Sequence, residues 1–128
     1  MPTFPVVTGD VVTSTIFNGL PAFAVQTAKT VDYTAASGDE YQQLIPMNKA
    51  TAVAFKIPTD ATFEFPVGTV ITVLNIGAGT CTISATTPGT TTILSAGATA
   101  ASPTVLQYKS AACIKTAANA WYVVGAIA

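Results

Sequence analysis

The sequence predicts an all-β protein, a single antiparallel β-sandwich or small barrel with an extended N-terminal arm, and three observations carry that expectation. From Val31 onward, short runs of alternating polar and apolar residues follow one another at regular spacing. Each run is bounded by turn chemistry: Ser37-Gly38-Asp39, Pro58-Thr59-Asp60, Pro66-Val67-Gly68, Pro88-Gly89, Ala96-Gly97 and Ala118-Asn119. No stretch shows a helical apolar stripe, and the Ala-rich piece 96–101 is crowded by Gly97, Thr99, Ser102 and Pro103.

Taken in order, strands are expected over residues 41–47, 51–57, 70–76, 80–85, 91–94, 104–108, 111–116 and 120–126. The run at 51–57 shows the facing logic: Val53, Phe55 and Ile57 share one side, Ala54 and Lys56 the other. Around Trp121 both sides are apolar, with Trp121 and Val123 on one and Tyr122 and Val124 on the other. Such a strand is expected to be central in its sheet or covered by a neighbouring subunit.

Residues 1–30 differ in character from the domain expected over 31–128. They place Phe4, Ile16, Phe17, Leu20 and Phe23 among prolines at 2, 5 and 21, with weak alternation. This reads as an arm, or a small hairpin about Gly9-Asp10, whose apolar anchors dock on a partner or on the domain itself. These five residues are the expected subunit or capsid interface.

The stretch FPVGTVITVLNIGAGTCTISA raises the question of a nucleotide loop. Gly77 and Gly79 match the first two glycines of G-x-G-x-x-G, but Thr82 stands third, and the following residues alternate as a strand where a helix is required. Gly77 and Gly79 are therefore expected in a hairpin turn, with positive φ at one or both.

Composition excludes further classes. The chain has no His, its five cations are all Lys, and charged residues make up 9% against about 25% in ordinary soluble domains. An imidazole base, an imidazole metal ligand, an Arg phosphate fork and a basic nucleic-acid footprint are all missing. No cofactor, metal, nucleic acid or membrane partner is expected, and no enzymatic activity. Residues 67–78 are too interrupted to span a bilayer, and residues 1–12 lack the basic start of a signal peptide. Asp39-Glu40 and Asp60 with Glu64 are the candidate carboxylate pairs, both expected in solvated loops. Cys81 and Cys113 allow a disulfide, but buried free thiols are the expected state. Tyr33, Tyr41, Tyr108, Trp121 and Tyr122 are expected in the core or at a subunit interface. Apolar residues at 50%, a mean hydropathy of +0.53 and a net charge of −1 predict apolar surface covered by other copies, as in a homotrimer.

The segments GDEYQQLIPMNKATAVAFKIP, FPVGTVITVLNIGAGTCTI and AACIKTAANAWYVVG, in that order, resemble the small β-domain of tailed-bacteriophage virion proteins, found in head decoration proteins and tail fibres. The resemblance covers residues 31–128. It implies a β-sandwich-like module, commonly trimeric, with a structural or attachment role in the virion and no catalytic residues. A short arm before one domain fits a decoration or cement protein bound to the major capsid protein. The alternative is a fibre domain that recognises a host surface glycan or protein.

Overall fold

Alternation in the sequence becomes alternation in burial: Val53, Phe55 and Ile57 are buried, while Ala54 and Lys56 between them are half-exposed. A computed structural model describes residues 24–41 and 44–128, and the strands in it are β1 (Tyr33–Thr34), β2 (Leu44–Met47), β3 (Val53–Ile57), β4 (Val70–Asn75), β5 (Cys81–Ala85), β6 (Thr92–Ser95), β7 (Thr104–Val105), β8 (Lys109–Ala117) and β9 (Ala120–Gly125). Every expected strand is present to within a few residues at its ends. The short β1 was not expected, because its sequence does not alternate; it forms by pairing Tyr33 with Phe55 and Thr34 with Lys56.

Two sheets, ordered β1-β3-β5-β7 and β2-β4-β8-β9-β6, pack into a β-sandwich around one hydrophobic core. The antiparallel pairing expected for them is corrected. Among the described residues β1·β3, β3·β5, β2·β4 and β6·β9 run parallel, and β4·β8, β5·β7 and β8·β9 antiparallel. The reason lies in the path of the chain, which crosses to the opposite sheet at every connection from β1 to β8. A parallel pair needs a crossover connection, and here a strand of the other sheet supplies it, as β4 does between β3 and β5. Only β8 and β9 form a hairpin, turning at Asn119 with φ +50°.

The stretch around Gly77 and Gly79 is therefore not a hairpin turn, since β4 and β5 lie in different sheets. Positive φ belongs to Gly38, Gly68 and Gly125 among the glycines. Gly77 and Gly79 are needed for another reason: the β4–β5 crossing lies flat against the β2–β3 crossing. Gly79 N–H donates to the Lys49 carbonyl at 2.9 Å, and Ile76 and Gly77 donate to the Met47 carbonyl at 2.9 and 3.2 Å. A Cβ on Gly77 would overlap the Lys49 backbone, and one on Gly79 the Thr51 carbonyl. Asn75 holds the crossing from inside. Its Nδ2 donates to the carbonyls of Gly79 and Val105, both at 2.8 Å, and its Oδ1 accepts from Gly77 N–H at 3.1 Å. All the polar groups of this fully buried amide are thus used on backbone.

Before β1, Val25 and Lys29 bridge in parallel to Leu44 and Met47, which adds an edge to the five-stranded sheet. Gln26 N–H donates to the Leu44 carbonyl at 3.0 Å and Lys29 N–H to the Pro46 carbonyl at 2.9 Å. Residues 25–29, which the sequence assigns to the arm, are thus paired with the five-stranded sheet. Phe4, Ile16, Phe17, Leu20 and Phe23 lie outside the described residues, as does the hairpin expected at Gly9-Asp10.

Between the sheets, Trp121, Phe65 and Phe63 meet edge to face, with ring centroids 5.7 and 4.6 Å apart. Cys81 of β5 and Cys113 of β8 are buried and free, as expected.

Candidate interaction face

The strands that bury one side chain in two must show the other somewhere, and what the two sheets show differs. On the four-stranded sheet the outward residues are Thr34, Ala54, Lys56, Thr82, Ser84 and Thr104, mostly hydroxyls with one cation. On the five-stranded sheet β4 turns out Val70, Thr72 and Leu74, and β8 turns out Ser110, Ala112 and Ile114. Leu44 joins them from β2, Tyr122 and Val124 from β9, and Thr92 and Leu94 from β6. No charged side chain interrupts this face among the described residues.

Register makes the face continuous. Leu94 lies opposite Tyr122, Tyr122 opposite Ile114, and Ile114 opposite Val70, so one row of large apolar side chains crosses four strands. Leu94, Tyr122 and Val124 keep 44, 46 and 49% of their surface exposed. Beyond them a groove of about 410 Å³ opens, walled by Leu94, Ala96, Tyr122, Val124 and Ile127 and floored by Gly125. Gly125 sits at φ +130°, and a Cβ there would lie 2.8 Å from the Ser110 carbonyl oxygen, so any other residue would be strained at this position. Val25, 63% exposed, extends the same face at the far edge through its bridge to Leu44.

The carboxylates singled out in the sequence sit elsewhere and hold structure. Asp39 is buried rather than solvated: it accepts from Gln26 Nε2 at 2.6 Å, Tyr33 Oη at 2.7 Å and Ala36 N–H at 2.9 Å. Burial first, and then this bond and charge, push the Tyr33 phenol well up from its ordinary value. Asp60, expected in a solvated loop, is half-buried and paired. Its Oδ1 lies 2.8 Å from Lys115 Nζ, which is 1% exposed, and Lys115 also donates to the Phe65 carbonyl at 2.6 Å. Asp60 Oδ2 accepts from Asn119 N–H at 3.0 Å, and Asp60 N–H donates to Asn119 Oδ1 at 2.9 Å. Sequence reasoning missed this pair because its members stand 55 positions apart. The one available signal was Lys115 at an inward position of an alternating strand.

Glu64 is exposed, and no group of three metal-ligating side chains occurs among the described residues. Burial raises the Cys81 thiol to about 11 and the Cys113 thiol to about 12, the second also through the neighbouring Cys81. Of the aromatics, Trp121 is core and Tyr33 half-buried. Tyr122 belongs to the apolar face, while Tyr41 and Tyr108 stand exposed in turns. No helix among the described residues is long and apolar enough to cross a membrane. Comparison with protein-family models, curated proteins and solved structures finds no match for this chain.

Proposed function

We propose that this protein is a non-enzymatic structural component of a bacteriophage virion, which assembles as a homotrimer and decorates and stabilises the exterior of the capsid. The observation that carries the reading is the uncharged outer face of the five-stranded sheet. A face with Val70, Leu74, Ile114, Tyr122, Val124 and Leu94 turned outward is suited to protein and poorly suited to water, while the hydroxyl face opposite suits solvent. The paired acids support the same reading, since Asp39 and Asp60 are spent on tying loops to sheets. The resemblance of the three ordered segments to virion β-domains supplies the setting, with the major capsid protein as the partner beneath.

A second reading, a fibre domain that recognises a host surface glycan, draws on Tyr108. This residue is 77% exposed and sits on a left-handed backbone of φ +64°. Copy number separates the two. Quantitative gel densitometry of purified particles should give hundreds of copies for a decoration protein and tens for a fibre; a count in the tens rejects the capsid role.

A further inference from the structure

The apolar face and residues 1–23 have chemistry that matches, and their positions are linked. The described chain begins at Ala24, whose neighbour Val25 bridges to Leu44 at the edge of the five-stranded sheet and shows its side chain on the same outer face. Whatever precedes Ala24 thus starts beside the face. Residues 1–23 carry Asp10 as their single charge and offer Phe4, Ile16, Phe17, Leu20 and Phe23. Extended, they reach about 75 Å at about 3.3 Å per residue. Five strands at about 4.8 Å apart span only about 20 Å, so such a segment can cross the whole face of an adjacent molecule.

Symmetry selects the molecule. A closed ring of three requires a heterologous contact, in which two different and complementary patches on each copy meet head to tail. The outer face of the five-stranded sheet is one patch. The outer face of the four-stranded sheet, with its hydroxyls and Lys56, is no apolar complement for it, whereas residues 1–23 bring five large apolar side chains and begin beside the face. We infer that residues 1–23 of each subunit lie across the outer face of the five-stranded sheet of the next subunit and close the trimer. The inference rests on the trimeric reading and names its contact.

Full-length variants test it by complementation. A face variant carries Leu94→Asp and Val124→Asp; an arm variant carries Phe4→Asp and Phe17→Asp. Both face positions point away from the core, so a wild-type far-UV circular dichroism spectrum with a cooperative thermal transition certifies the fold. Should either double variant unfold, Val124→Thr and Phe17→Ser carry the same comparison. In sedimentation the wild type should show three times the mass of the 13.0 kDa chain, and each variant alone a monomer. Mixed in equal amounts, the variants should form a heterodimer at tens to hundreds of micromolar, because the intact arm of one meets the intact face of the other. A wild-type monomer overturns the trimer and this contact together. A wild-type trimer that survives either variant, or variants that stay monomeric when mixed, overturns the contact and leaves the trimer standing.

Discussion

The two outer faces of this sandwich are made by the same kind of strand around the same core, yet one is a lawn of Thr and Ser with Lys56 and the other a row of Leu, Val, Ile and Tyr. The inner positions of both sheets obey one requirement, burial against each other. The outer positions are free of that requirement and record what each face meets. A face that meets water gains nothing from Val70, Leu74, Ile114 and Val124, so their presence points to a protein cover.

If the difference is confined to the outer faces, then breaking the shared interior should lower stability whichever sheet is touched. The largest effect is expected at Asp60. Asp60→Ala strands the Lys115 ammonium between the sheets and should cost about 3–5 kcal/mol, the usual penalty for an uncompensated buried charge. Urea unfolding measures it, and a loss under 1 kcal/mol would show that water reaches Lys115. Gly79→Val comes next, at about 3 kcal/mol, because the new side chain overlaps the Thr51 carbonyl where two sheet crossings touch. Gly79→Ala should already cost a large part of this, since the Cβ itself collides. A mild Ala variant would mean that the crossings separate easily.

The comparison itself is sharpened by placing one charge on each face. Leu94→Asp should weaken self-association by about 100-fold, roughly 3 kcal/mol, without lowering the thermal transition of the monomer. Ser84→Asp on the other sheet lies opposite Lys56 and should leave association unchanged and stability equal or slightly raised. Equal effects from the two charges in sedimentation would erase the distinction between the faces.

The effect of pH involves one thiol from each sheet. Unfolded, both ionise near 9.0; folded, near 11 and 12. Above pH 9 the unfolded chain releases protons that the folded chain keeps. Stability should therefore be full below pH 9 and fall as pH rises, by about 1.4 kcal/mol per pH unit for each thiol until its folded value is reached. Tyr33 adds to the slope above pH 10. Cys113→Ala should flatten the curve between pH 9 and 10.5, and an unchanged slope would place the titration elsewhere.

Much of this was legible before any coordinates. Turn residues and period-two alternation located the eight strands from β2 to β9, and Tyr122 with Val124 showed that β9 is apolar on both sides. The candidate face as a whole was not legible, because Val70, Ile114, Tyr122 and Leu94 become neighbours only through the pairing of β4, β8, β9 and β6. Asp39 and Asp60 misled for a related reason. Each sits among turn residues that ordinarily face water, and each is held by partners that the local sequence does not announce.

What the sequence by itself determined is therefore local: where the chain extends, which side chains of each strand point in, and which chemistries its residue types exclude. Alternation is enforced by the backbone within a few residues, so it can be read from a few residues. Tertiary structure decided which strands lie side by side, that four pairs run parallel, that Gly77 and Gly79 mark a crossing, and that the apolar outer positions gather on one sheet. Those outcomes depend on how the chain winds around its core and on contacts across 20 to 60 positions, and no window of alternating residues contains that information.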